Sequence, residues 1–322
     1  MSDIALIEAA ALRAHGHVRR TPLLSSPALD EIAQRRIWVK PECLQHTGSF
    51  KFRGAWSALS ALDETSRGRG VLAYSSGNHA QGVAAVARSF GTSAVIVMPS
   101  DAPAPKIAGT RALGAEVVLY ERGRESREAI GEEISNERGL TLIRPYDDPQ
   151  VIAGQGTCGL EIAEQARVRG IEQAQVLTCC GGGGLTAGIA LALEARAPRM
   201  LVHPVEPEGY DDTVRSLMAG ERLRNANEKS GLCDAIVTPM PGALTFPILS
   251  RLCGPGFVVS DEEVLCAMAL AFAHLKIVAE PGGAVALAAA LFHGERLEAD
   301  TVIATISGGN VTNQTFARAL QG

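Results

Sequence analysis

The feature that most limits how this chain folds is an alternation of short apolar runs with helix-period stretches, beginning at Val71. A strand over 71–74 leads into a helix over 81–90, one over 94–98 into a helix over 106–113, and one over 117–120 into a charged helix around 127–136. A second series places strands over 176–179, 201–206 and 302–306, with helices after the first (185–195) and the last. Strands joined in succession through helices lie parallel, and a parallel sheet needs helices over both faces. The expected class is therefore α/β, with open, twisted, mostly parallel sheets flanked by helices. Ahead of this pattern, Ser2 is expected to cap a helix whose Ile4, Leu6, Ile7 and Leu12 share a face, with Gly16 as its stop. Residues 20–23 read as extended, 37–40 as a strand, and Lys51 falls near the start of the next helix.

At 322 residues the chain has room for two ordinary domains or one large one. Hydrophobic residues make up 46% and aromatics only 4%, so the core must be built of Ala, Val, Leu and Ile. A net charge of -5 supplies no general attraction to nucleic acid or to an anionic membrane surface. Seven cysteines without regular spacing argue for a reducing compartment rather than a disulfide framework, and no His or Cys cluster has zinc spacing. The first residues carry no basic leader and no apolar run is long enough to span a bilayer, so a cytoplasmic, membrane-free setting is expected.

Three segments carry chemistry. In Thr47-Gly48-Ser49-Phe50-Lys51-Phe52-Arg53-Gly54-Ala55, a lysine between two aromatic rings after a Gly-Ser turn can lose hydration and be more easily deprotonated, as a Schiff-base lysine requires. The same nine residues also describe a surface lysine at a helix start. Ser75-Ser76-Gly77-Asn78-His79-Ala80-Gln81-Gly82 and the run Gly181, Gly182, Gly183, Gly184 each lie between a strand and a helix, where ligand sites collect in open α/β sheets. Glycines there can turn backbone amides toward an anion, or simply form a turn. Two further places offer alternatives. Glu206 and Asp212, with a backbone carbonyl between them, suit a hard cation such as Mg²⁺, Mn²⁺ or Ca²⁺, or form an acidic loop in which Asp211 or Asp212 caps the next helix. Arg127, beside Glu125 and Glu128, offers a bidentate fork for a carboxylate, or a solvated ion pair on a helix.

From about Arg20 to Asn310 these motifs, in this order, resemble the serine/threonine dehydratase and serine racemase family of fold type II pyridoxal phosphate enzymes. The resemblance implies two sheets in two domains with the cofactor between them: a large domain over 1–67 and 148–322, and a small one over 68–147 inserted in it. It implies pyridoxal 5'-phosphate held by Lys51 through its aldehyde, by Phe50 against its ring, by Asn78 at its phenolic oxygen, by Gly181 to Gly184 at its phosphate, and by Ser307 at its pyridine nitrogen. Ser75, Ser76, Asn78 and His79 would hold the substrate α-carboxylate, and Ser76 matches the second acid/base of serine racemases. Arg127 matches an arginine that reaches the substrate in some serine racemases and 3-hydroxyaspartate dehydratases. A divalent cation would lie on Glu206, the Tyr210 carbonyl and Asp212.

The implied function is that of an ammonia-lyase eliminating water from a β-hydroxy amino acid (threonine, serine or 3-hydroxyaspartate) to give a 2-oxo acid and ammonia, with Lys51 and Ser76 as catalytic residues. A hydroxyl such as Ser307 at the pyridine nitrogen makes a weaker electron sink than a carboxylate would, which favours elimination. Racemisation on the same scaffold, β-replacement, and cofactor binding without turnover are the alternatives. Family resemblance implies a homodimer, and the short tail after the last motif implies a catabolic enzyme without an appended regulatory domain. Residues 238–242 resemble a substrate-side loop without an assigned role, Glu280-Pro281-Gly282-Gly283 resembles a motif near the cofactor, and Cys179 and Cys180 are expected to be buried.

Overall fold

The computed structural model describes residues 2–75, 77–102, 104–226 and 231–321. Its strands are β1 (Leu24–Ser25), β2 (Arg36–Pro41), β3 (Val71–Tyr74), β4 (Ala94–Pro99), β5 (Glu116–Tyr120), β6 (Thr141–Leu142), β7 (Ala174–Cys179), β8 (Met200–Pro207), β9 (Phe257–Val259) and β10 (Thr301–Ile306). They form a six-stranded sheet in the order β1-β2-β10-β7-β8-β9 and a four-stranded sheet in the order β5-β4-β3-β6. Every pairing is parallel except β1 with β2. In the larger sheet Ala304 of β10 sits between Val39 and Leu177. All six residues of β7 are buried, as expected of a central parallel strand covered on both faces.

Because the strands run parallel within each sheet, their carboxyl ends gather on one edge. From those ends leave the loop after β3 that opens the helix Asn78–Ser89, the glycine run after β7 that opens the helix Gly184–Arg196, the acidic loop after β8, and Ser307 after β10. The sequence pattern placed these strands and their following helices to within a few residues. Two details differ at the N-terminus. Asp3, not Ser2, caps the first helix, accepting from the Leu6 amide, while Ser2 donates to the Pro149 carbonyl. The buried face is Ile7, Ala10 and Ala14, and Leu12 is 80% exposed, because position 12 lies off the stripe that 7, 10 and 14 share.

The helix that begins at Lys51 is fixed from behind by a buried ionic cluster. Arg53 donates to both oxygens of Glu42 (2.7 and 2.8 Å) and of Glu161 (2.7 and 2.9 Å), and Lys40 reaches Glu161 at 2.6 Å. Arg53, Glu42 and Lys40 have essentially no exposed side-chain surface. Burial alone would push the Glu42 carboxyl up, but the charge and hydrogen bonds of Arg53 overcome it and hold the group below its usual range. Thr21, Thr157 and Gln165 complete the hydrogen bonding.

Removing one partner from such a cluster leaves an uncompensated buried charge. Arg53→Met is expected to cost about 3–5 kcal/mol of unfolding free energy. Denaturant titration of the two proteins checks this, and a loss under about 1 kcal/mol would show that the cluster is solvated and weak.

Candidate functional site

Lys51 is the first residue of its helix, and its Nζ donates to the Pro145 carbonyl at 2.7 Å, with the Phe50 ring centroid 5.0 Å away. The residue keeps some accessible surface, yet burial of the amine brings its pKa down to about 8, against a smaller opposing pull from Glu280. Between surface lysine and desolvated amine, the structure chooses the second. Lys51 and Phe50 line one narrow cavity with Gly181, Gly182, Gly183, Gly184, Cys179 and Thr238, among others.

Gly183 adopts φ +88° at the N-cap of the helix Gly184–Arg196, a conformation suited to glycine. The carbonyl of Gly182 is taken by the Gly242 amide and the Thr245 hydroxyl, whereas among the described residues the amides of Gly181, Gly182 and Gly183 have no acceptor. Unsatisfied amides at the N-terminal end of a helix form an anion cradle. Thr238 Oγ1, buried and without a partner among the described residues, belongs to a residue that lines the same cavity.

Asn78 is held on both sides of its amide: Nδ2 donates to Glu280 Oε1 at 2.6 Å and Oδ1 accepts from Asn310 Nδ2 at 2.8 Å. One Nδ2 hydrogen is left to donate elsewhere. Glu280 precedes the helix Pro281–Phe292 but makes no cap with its side chain, which is spent on Asn78 instead. Burial raises its carboxyl to about 7. Ser307 is buried, its carbonyl accepts from the Phe50 amide at 3.0 Å, and its hydroxyl lies by the Cys179 thiol. Cys179 and Cys180 are both buried with thiol pKa values pushed up by burial, as expected of inert core cysteines.

Other expected residues stand apart. His79 lies under the loop, but its Nε2 is bonded to the Ile143 carbonyl at 2.9 Å and burial lowers its pKa to about 3. The ring is therefore neutral and brings no charge to a carboxylate. Ser75 accepts from the Gly77 amide at 3.3 Å, and Ser76 lies outside the described residues. Arg127 pairs with Glu128 at 2.8 Å and lies over the Tyr74 ring, and it is not among the residues lining the cavity.

In the acidic loop, Glu206 accepts from the Thr213 and Val214 amides at 3.1 and 2.8 Å, so Glu206 caps the helix Asp212–Ala219 and neither Asp211 nor Asp212 does. Burial first, and Asp212 second, push the Glu206 carboxyl well above its usual range. Asp212 is 1% exposed, is raised by burial to about 7, and its Oδ2 has no partner among the described residues. Two buried carboxyl groups with an orphaned oxygen form a donor set suited to a hard cation. Among the described residues no group of three or more His, Cys, Asp or Glu side chains is arranged to hold a metal, so such an ion would depend on backbone oxygen or water as well.

Tyr146 was not foreseen from the sequence. Its ring lies on the glycine loop: a Cβ built on Gly182 would stand 2.4 Å from it. The signal available was position alone, one residue after the carbonyl that holds Lys51.

The chain is similar to known proteins along nearly its whole length. The family described as pyridoxal-phosphate dependent enzyme matches residues 14–308. The chain is 42% identical to an L-threo-3-hydroxyaspartate ammonia-lyase of a Pseudomonas species, covering 97% of each. It is 40% identical to the serine racemase of Schizosaccharomyces pombe, covering 98% of this chain and 96% of the relative. A T.th. threonine deaminase crystal structure superposes with a TM-score of 0.90 at 46% identity, covering 96% of this chain and 99% of the other.

The lowered pKa makes the Lys51 amine easier to deprotonate than an ordinary lysine, and the sign is definite: its protonation opposes folding in full below about pH 8, and the cost fades as pH rises toward the unfolded value of about 10.4. After the cofactor is stripped, the rate at which the protein regains its visible cofactor absorption is expected to rise with pH, with a midpoint near 8. Stopped-flow absorbance checks this, and a midpoint above about 10 would mean an ordinary solvated lysine. With an aminated cavity, an anion cradle and these relatives, the chain belongs to the pyridoxal-phosphate dependent enzymes, in the group that contains the ammonia-lyases and serine racemases.

Proposed function

We propose that this chain is an ammonia-lyase that eliminates water from a 3-hydroxy amino acid, with 3-hydroxyaspartate preferred over serine and threonine. The observation that carries the reading is the desolvated Lys51 amine sharing one cavity with the unpaired amides of the glycine loop. When bound, pyridoxal phosphate supplies the electron sink that makes the substrate Cα–H acidic. The chain's own residues do the rest. With that group bound, the amides of Gly181 to Gly183 would hold its phosphate, the remaining Nδ2 hydrogen of Asn78 its phenolic oxygen, and the Ser307 hydroxyl its pyridine nitrogen. Lys51 takes the Cα proton as its pKa of about 8 permits at neutral pH. The β-hydroxyl leaves with a proton as water, and hydrolysis returns a 2-oxo acid and ammonia.

The same reading takes residues 68–147 as a smaller unit inserted in the one formed by 1–67 and 148–322. In support, all four strands of the smaller sheet fall between Val71 and Leu142. A divalent cation on Glu206, Asp212 and the Tyr210 carbonyl is supported by the orphaned Asp212 oxygen. A homodimer follows from the resemblance, and a cytoplasmic setting is supported by seven free cysteines. Among the described residues no helix is long and apolar enough to cross a membrane. The racemase relative in Schizosaccharomyces pombe supports a second reading, racemisation, with Ser76 as the second acid/base. Reaction in deuterated water separates the two, since a racemase leaves labelled amino acid of both hands and a lyase leaves mainly oxo acid.

The deciding assay is ammonia and 2-oxo acid release from L-threonine, L-serine and the stereoisomers of 3-hydroxyaspartate, with Mg²⁺ and with chelator. One 3-hydroxyaspartate isomer is expected to react fastest, chelator is expected to lower both rate and thermal midpoint, and Lys51→Ala is expected to abolish turnover. A preference for threonine would replace the substrate assignment. Rate and thermal midpoint both unmoved by chelator would remove the cation.

A further inference from the structure

The segment 238–242, to which the chemistry above gives no task, ends on the glycine loop. The Gly242 amide donates to the Gly182 carbonyl at 3.2 Å, and Thr245, first residue of the helix Thr245–Leu252, donates its hydroxyl to the same oxygen at 2.7 Å. Thr245 is fully buried, and neither it nor Gly242 lines the cavity. Its own place is fixed by its neighbours: the Ala243 and Leu244 amides donate to Asp147, and the Phe246 amide to the Gly242 carbonyl. A Cβ built on Gly242 would stand 2.7 Å from the Thr245 hydroxyl oxygen, so a glycine there lets hydroxyl and amide share one acceptor.

In a trans peptide the carbonyl and the following N–H point to opposite sides. The Gly182 carbonyl points to Thr245 and Gly242, outside the cavity, so the Gly183 amide points the other way from a residue that lines it. Neighbouring carbonyls are engaged in the same manner. That of Gly183 accepts from the Ala187 amide at 2.8 Å, and that of Gly181 from the Thr213 hydroxyl at 3.4 Å, a longer and weaker bond. Four glycines in a row have no side chains to choose a conformation, so the loop by itself would sample many directions. Its aim is set from the carbonyl side, and the bond from Thr245 is the shortest of these anchors.

We infer that Thr245 is a positioning residue for the cofactor phosphate: through the Gly182 carbonyl, its hydroxyl aims the Gly183 amide at the anion. Thr245 stands outside the cavity and acts through the loop. The inference rests on the glycine loop as the phosphate cradle and adds the group that aims it. It is independent of which 3-hydroxy amino acid is the substrate.

The test frees the full chain of cofactor and measures, by absorbance titration, its affinity for pyridoxal 5'-phosphate and for pyridoxal, which lacks the phosphate. Thr245→Val keeps the shape and removes the hydroxyl, whereas Thr245→Ser keeps the hydroxyl and removes the methyl. Thr245→Val is expected to bind pyridoxal 5'-phosphate about tenfold more weakly, the usual size of one hydrogen bond to a charged group, with pyridoxal affinity changed by less than about twofold. Thr245→Ser is expected to stay within about threefold of wild type on both. In the reloaded holoenzymes, the phosphorus NMR resonance of the bound phosphate is expected to move in Thr245→Val and to stay in Thr245→Ser. Equal weakening of both ligands by Thr245→Val, or a loss in Thr245→Ser as large as in Thr245→Val, shows packing in place of aim and overturns the inference. A wild-type affinity ratio with an unmoved resonance in Thr245→Val overturns it as well. If Thr245→Val does not fold, Thr245→Ala takes its place against Thr245→Ser, a pair that differs by the hydroxyl alone. Wild type that binds pyridoxal as tightly as pyridoxal 5'-phosphate overturns the cradle reading itself, and the inference with it.

Discussion

The hydrogen bond from Lys51 Nζ to the Pro145 carbonyl is the contact on which the rest of the site depends. It joins the first residue of a helix rooted in the larger sheet to the segment that returns from the smaller one. Each neighbour of Pro145 is also committed. Arg144 interacts with the Tyr74 hydroxyl, Tyr146 packs on the glycine loop, Asp147 accepts from the Ala243 and Leu244 amides, and Asp148 caps the helix Pro149–Val168. A segment anchored at each residue cannot drift, so the carbonyl stays where the amine needs it. On the other side, the Arg53 cluster fixes the helix that carries Lys51. The amine is thus placed from two sides, by the segment around Pro145 and by the ionic cluster behind its helix.

The glycine run shows why one loop must be so poor in side chains. A Cβ at Gly181 would lie 2.6 Å from the Ile236 carbonyl oxygen, one at Gly182 would enter the Tyr146 ring, and one at Gly183 would meet Leu249 and Thr245 at 2.9 Å. Three different elements press on the loop, and only a bare backbone fits between them. The same bare backbone lines the cavity with amides that have no acceptor among the described residues, so packing and anion binding make one demand on the sequence. Where Gly182 lacks a side chain, Tyr146 supplies one from elsewhere in the chain.

How much of this was legible follows from the range of each signal. Strands and their following helices are written locally, and β3 emerged with the expected bounds. Lys51, Phe50 and the glycine run were legible as candidates because each motif lies on a few consecutive residues, and the structure brings them to one cavity. The helix Pro281–Phe292 was not, because it is apolar all round and buried almost throughout, and so has no amphipathic period to read. Nor was Pro149–Val168, whose Gly154, Gly156 and Gly159 look like breakers until the facing helices are seen: Cβ atoms there would strike the Arg53 carbonyl, Ile7 and Ile189. Roles set by partners far along the chain stayed hidden. Glu280 was read as part of a motif near the cofactor, but its bond from Asn78, 202 positions away, was not, and neither was the bond between His79 Nε2 and the Ile143 carbonyl.

Burial then sets the charge state of the whole cavity. Desolvation brings Lys51 down to about 8, Glu280 up to about 7 and His79 down to about 3, three shifts that all favour the neutral form. The His79 shift bears on the amine as well, after the burial of the amine itself. A protonated imidazole under the loop would repel the Lys51 ammonium, adding to its desolvation and leaving a second acid in a place that needs a base. Held neutral on the Ile143 carbonyl, His79 leaves Glu280 as the main opposing influence on Lys51, and that carboxyl titrates close to neutrality itself. The cavity therefore presents one amine that gives up its proton far more readily than a solvated lysine. That readiness is what a group required to bind an aldehyde and then exchange a proton at Cα must have.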